Sequence, residues 1–159
     1  MKFTGDISIA APREAVFAKV QDARFFASCV EGVQEMKEID PTHYTAVLET
    51  KVAYLKFKFN VTVEVTRMEV PREIEAKVEG TPLGIVGRLT ATSITRLADD
   101  NGGTKVSYEI EAALTGKLGS LGQPVLRSKA KEMERIFTER IRAAFAAGAT
   151  TTVAGAPTS

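Results

Sequence analysis

The chain is poor in reactive side chains: 159 residues contain one cysteine, Cys29, and one histidine, His43. A single cysteine excludes an intramolecular disulfide. One cysteine and one histidine cannot supply the clustered ligands of a histidine- or cysteine-based metal site. Charge of one sign is also missing, since 21 basic residues face 20 acidic ones for a net charge of +1. That balance lacks the basic excess of a nucleic-acid footprint, and no basic block is present. No run approaches the ~20 apolar residues of a membrane span. The opening Met1-Lys2-Phe3-Thr4-Gly5-Asp6 lacks the apolar run of a secretory signal. The expectation is a soluble, cytoplasmic protein.

What is present is a hydrophobic content of 44%, enough for the core of one domain. Residues 2–10 alternate with Phe3, Gly5, Ile7 and Ile9 on one parity, which predicts a strand. Ala11-Pro12 opens a short helix with Glu14 in its first turn. Asp22 is placed to cap a second, where Phe25 and Cys29, and Phe26 and Val30, share a face. After Gly32, strands are expected near 33–39, 43–53, 55–67, 72–80, 85–97 and 104–115, separated by turn signals such as Asp40-Pro41, Pro71 and Asn101-Gly102-Gly103. From Leu55 to Val65 every odd position is apolar and every even position polar. That is an antiparallel sheet covered on one face. Leu126, Ala130, Met133, Phe137, Ile141 and Ala144 then recur at helical spacing over about 123–147. Lys131, Glu132, Glu134, Arg135, Glu139 and Arg142 read as its solvated face, with Arg135–Glu139 and Glu139–Arg142 able to pair. The expected fold is α+β: a curved antiparallel sheet of about seven strands around a long C-terminal helix, with two short helices after the first strand. A domain over 1–147 would be followed by a disordered tail over 148–159.

Catalytic signals are thin. His43 lies in a turn, Pro41-Thr42-His43-Tyr44, with no patterned partner for general-base work. Cys29 lies on an apolar helix face, where a cysteine packs as a small hydrophobe. Gly116-Lys117-Leu118-Gly119-Ser120-Leu121-Gly122 precedes a helix but lacks phosphate-loop spacing, and reads as a flexible corner. Glu73, Glu75, Glu79, Glu109 and Glu111 fall on the polar parity of their strands. No catalytic residue, cofactor or metal is assigned. A curved sheet closed by one helix can leave an apolar cavity, suited to an apolar guest.

The whole pattern resembles the START-like, or helix-grip, superfamily and, within it, the CoxG family of carbon monoxide dehydrogenase. The likeness spans residues 2 to about 145. It is carried by Phe3-Thr4-Gly5 with Ala11-Pro12-Arg13-Glu14-Ala15-Val16-Phe17, by Ser28-Cys29-Val30-Glu31-Gly32-Val33, by Glu79-Gly80-Thr81-Pro82-Leu83-Gly84, and by Leu114 to Gly122. Glu31 stands where the family has a proline, putting a charge at the expected cavity mouth. The resemblance implies an accessory protein and not an enzyme, partnered by a molybdenum hydroxylase of the carbon monoxide dehydrogenase type. Maturation, membrane recruitment or delivery of a quinone-like electron acceptor are the implied roles, with membrane contact at most peripheral, at the inner membrane face.

The expected function is binding of an apolar lipid- or quinone-like molecule between sheet and helix. The expected lining is Phe25, Phe26, Leu48, Val52, Phe57, Phe59, Val61, Leu89, Tyr108, Leu121, Val125, Met133 and Phe137. The alternatives are a cyclase- or hydrolase-like enzyme on the same fold, using His43 or a buried tyrosine, and a pure docking protein.

Overall fold

The computed structural model describes the backbone of residues 1–152 and the side chains of 1–146. The tail expected beyond 147 otherwise lies outside the described residues.

Strand β1 (Lys2–Ile9) is followed by helices α1 (Arg13–Val20) and α2 (Ala23–Cys29). Pro12 sits just outside α1 as its N-cap, and the Asp22 carboxylate accepts from the backbone N–H of Arg24 and Phe25, capping α2. Strands β2 (Val33–Asp40), β3 (His43–Val52), β4 (Leu55–Glu69), β5 (Glu73–Pro82), β6 (Gly87–Asp100) and β7 (Gly103–Gly116) follow as an antiparallel meander. A short 3₁₀ turn (Gly119–Leu121) leads into α3 (Gln123–Thr152), whose backbone continues past the expected end at 147. The strand order is β1-β7-β6-β5-β4-β3-β2, so the chain's first strand closes beside its last. A register shift between Val65 and Arg67 and another between Gln34 and Lys37 bend the sheet, because an extra residue on one strand increases local twist.

One face of the sheet is apolar, as the alternation predicts. On β4, Phe57 and Phe59 are buried and Val61, Val63 and Val65 partly exposed, while Lys56 to Glu64 on the even positions are exposed. Leu55 departs from the pattern. At the strand's end it is 54% exposed.

The apolar face is packed at its two ends by separate clusters. At one end, α1 and α2 plug the sheet with Val16, Phe17, Val20 and Cys29 against Ile7, Ile9, Leu97, Val106 and Ile141. At the other, Val52, Phe57, Phe59 and Leu118 form a second cluster. Leu118 is 2% exposed, so the glycine-rich segment expected as a flexible corner is pinned by a buried side chain.

Helix α3 approaches the sheet backbone closely at β1 and β3, near its two edges, and packs on α2. Between those edges the inward-facing residues are small. Ala76, Ala91, Ala112 and Ser93 sit in neighbouring cross-strand positions, beside Val63, Val65, Val78 and Ile110. Apart from Ala112, all of these short and mid-sized side chains remain partly exposed beneath a helix that approaches the sheet near its edges.

Candidate functional site

A cleft at one end of the sheet is framed by α3, the β3–β4 turn and the segment joining α2 to β2. Gly32 makes that segment possible. Its φ is +89°, and a Cβ there would collide with the carbonyl oxygen of Glu49. The chain thereby turns sharply and carries Glu31 to the cleft. The cleft measures about 670 Å³ and is bordered by Glu31, Thr50, Val125, Ser128, Lys129 and Glu132 among others. Its volume is within the usual range for small-molecule sites. Lys129 is mostly buried, with its Nζ 3.7 Å from Glu31 and 3.3 Å from Glu132. Thr50 Oγ1 is buried and has no hydrogen-bond partner among the described residues. A buried hydroxyl left unpaired costs about 1–3 kcal/mol.

Deeper in, Tyr108 on β7 donates its hydroxyl hydrogen to Glu134 on α3. Burial, the bond to Glu134 and the neighbouring carboxylates raise the Tyr108 pKa above its ordinary value. Gly5, paired with Tyr108 across β1 and β7, leaves room for this bond. Glu134 therefore does not belong to the solvated face of α3 on which the sequence placed it. It is four residues after Ala130 and three before Phe137, a helical spacing that points inward. Arg135 and Glu139 pair as expected at 2.8 Å. Arg142 instead donates to the Ser8 carbonyl at 3.1 Å, tying α3 to β1.

The thirteen expected lining residues do not form one wall. Val52, Phe57 and Phe59 are buried in the second cluster, with Leu48, Val61, Leu89, Leu121 and Val125 packed against it. Phe25 and Phe137 pack on the first cluster. Phe26 is 39% exposed and its ring centre is 5.1 Å from that of Phe137. Tyr108 and Met133 belong to neither cluster and are partly exposed. Of the thirteen, only Val125 borders the cleft. Thr50, Lys129 and Glu134 escape the sequence reading, which assigns polar residues to solvent. The parity shared by Leu48, Thr50 and Val52 is the available signal for Thr50.

His43 lies at the far end of β3. It is seven residues from Thr50, about 23 Å along an extended strand. Its Nδ1 is 2.8 Å from Asp40 Oδ1 and its Nε2 3.7 Å from Glu64. The bond to Asp40 raises the histidine's pKa and holds the Asp40 carboxyl at about 2. This is a surface ion pair, separated from the cleft. Cys29 is 1% exposed, and burial pushes its thiol pKa up, which opposes thiolate chemistry.

The family model for the carbon monoxide dehydrogenase G-subunit (CoxG) matches residues 5–146. The chain belongs to the CoxG family. Family membership associates it with carbon monoxide dehydrogenase as an accessory protein. A conserved protein from Geobacillus kaustophilus has a similar structure, with a TM-score of 0.84 at 25% identity over 92% of this chain and 95% of that one. The Mll3558 protein from Rhizobium loti gives 0.65 at 13% identity, over 90% and 95% of the two chains. Protein Ms6760 from Mycobacterium smegmatis gives 0.66 at 17%, over 92% of each. The last two share the fold alone, and together these likenesses place CoxG in the START-like, helix-grip class. No curated protein matches the chain. In this CoxG chain Glu31 borders the cleft and faces Lys129. Among the described residues no helix is long and apolar enough to cross a membrane.

Proposed function

We propose that this CoxG protein binds an apolar small molecule, lipid- or quinone-like, in the space between α3 and the middle of the sheet. In doing so it serves a carbon monoxide dehydrogenase-type molybdenum hydroxylase as an accessory. One observation carries the reading. Val63, Val65, Val78, Ala91 and Ile110 face the helix from the middle of the sheet and are still partly exposed. In a filled core such residues are the first to be buried. Covering about 300 Å² of hydrocarbon there contributes on the order of 7 kcal/mol, which makes roughly micromolar affinity the ceiling from that term alone once association costs are counted against it.

The charged lining of the cleft fits a guest with an apolar body and a polar end. The Thr50 hydroxyl and the Lys129 ammonium are the groups available to a carbonyl or carboxylate at the mouth. Maturation of the partner enzyme, its recruitment to the membrane and delivery of an electron acceptor are all compatible with such cargo. Native mass spectrometry of the purified protein, followed by solvent extraction, tests the binding. The expected result is a bound apolar species, or uptake of an added quinone or fatty acid. Neither native cargo nor uptake would refute the carrier reading and favour a pure docking role.

A further inference from the structure

The helix-facing side of the sheet carries a polar cluster away from the cleft. Tyr108 of β7 and Glu134 of α3 meet over Gly5, where an added Cβ would overlap the Glu134 carboxylate. Glu134 therefore reaches down onto the sheet. The register sets two more hydroxyls beside this pair. Thr95 of β6 is the direct cross-strand partner of Tyr108, and Ser93, two residues along, shares its face and pairs with Ile110. All four residues are partly exposed. They lie between the plugged end, where Ile7, Leu97 and Val106 are buried, and Val78 and Ala91 in the middle of the sheet.

Donors and acceptors in this cluster do not balance. The Tyr108 hydroxyl has one hydrogen and gives it to Glu134 Oε2, so toward any other group it can only accept. Among the described residues Glu134 has no ion-pair partner and no donor besides Tyr108, although a carboxylate accepts at both oxygens. The Ser93 and Thr95 hydroxyls have no hydrogen-bond partner among the described residues, and each can donate or accept. A carboxylate gains from each further donor, because hydrogen bonds to a charged group are the stronger kind. The group that completes the cluster must therefore bring a hydrogen of its own. A carbonyl or ether would leave the carboxylate as it is, and an anionic head would meet like charge.

We infer that Tyr108, Glu134, Ser93 and Thr95 form a second polar subsite that takes a hydroxyl donor, the alcohol or phenol end of an otherwise apolar guest. The guest hydroxyl donates to Glu134 and accepts from Ser93 or Thr95. The subsite presupposes the carrier reading and extends it. The cleft offers Thr50 and Lys129 to an acceptor, whereas the inner cluster offers Glu134 to a donor.

Octylphenol and its methyl ether, octylanisole, differ in the hydrogen the subsite would read. Their dissociation constants are measured by NMR titration of the parent, of Glu134→Gln, and of a double variant, Tyr108→Phe with Glu134→Leu. Replacing both partners by apolar groups of similar shape leaves no orphaned polar group, and circular dichroism checks the fold of each variant. The ether's extra methyl acts alike in all three proteins, so a change in the phenol-to-ether preference isolates the donated hydrogen. That preference should fall by at least about tenfold in the double variant, as for a lost hydrogen bond to a charged group. In Glu134→Gln, where the acceptor is neutral, it should fall roughly threefold. In the parent, the methyls of Thr95 and Ile110 should shift with the phenol. An unchanged preference in both variants, or phenol shifts at Val125 of the cleft and not at Thr95, would overturn the subsite and leave the carrier reading standing. No binding of either guest to the parent would overturn both.

Discussion

Substituting Gly5 by alanine tests whether α3 is locked to the sheet through Tyr108 and Glu134. Gly5 faces inward from β1, directly opposite Tyr108. A Cβ at this position would overlap Glu134 Oε2 and lie 2.7 Å from the Tyr108 ring and hydroxyl. The β1 backbone is held by its ladder to β7, so the carboxylate must yield and the hydrogen bond from Tyr108 is lost. A hydrogen bond to a charged group contributes about 1.5–3 kcal/mol. Replacing glycine within a strand returns about 0.5–1 kcal/mol. The net loss is about 1–2 kcal/mol, which for a domain of this size lowers Tm by roughly 2–8 °C. Thermal unfolding followed by circular dichroism measures it, with the same substitution repeated in a Glu134→Ala background. There the Tyr108–Glu134 bond is already absent, so the penalty should shrink. A Gly5→Ala variant as stable as the parent, or an equal penalty in both backgrounds, would refute the reasoning.

Gly32→Ala forces a side chain into a left-handed backbone against the Glu49 carbonyl. It should cost at least about 2 kcal/mol in urea denaturation. NMR titration should place the His43 pKa above its ordinary 6.5, and Asp40→Asn should bring it back down. Because the histidine's folded pKa is raised, its share of stability is present below pH 6.5 and is lost as the pH climbs through that raised value. The Asp40 share, with the carboxyl held at about 2 against an ordinary 3.8, is present above pH 3.8 and lost as the pH falls toward 2. The pair should thus act fully only between these limits.

The architecture is readable in the sequence because two periodicities are clean. Odd-position alternation from Leu55 to Val65 defines the inner face of β4, and the three-and-four spacing from Leu126 to Ala144 defines the buried stripe of α3. Asp22 and Pro12 mark helix starts through chemistry local to the chain. The site is less readable, because a binding space depends on volume between elements far apart in sequence. The large residues Phe57, Phe59 and Val52, expected to line a cavity, are buried together at one end of the core. The small residues Ala76, Ala91 and Ser93, partly exposed in the middle of the sheet, attract no attention in a search for apolar side chains. Polar residues that face inward are lost for the same reason. Glu134 sits on the buried stripe by spacing but carries a charge, and Thr50 shares its parity with Leu48 and Val52. The charge at Glu31 does fall at the cleft mouth, because Gly32 fixes that turn locally.

The central claim is that the middle of the sheet, beneath α3, is open to an apolar guest. Methyl-resolved NMR titration with decanoic acid or a short-chain quinone tests it most directly. Saturable shifts at the methyls of Val63, Val78, Ala91 and Ile110, with those of Val16 and Ile7 at the plugged end unmoved, are predicted. Unchanged methyls throughout, or shifts confined to the exposed residues of the loops, would contradict it.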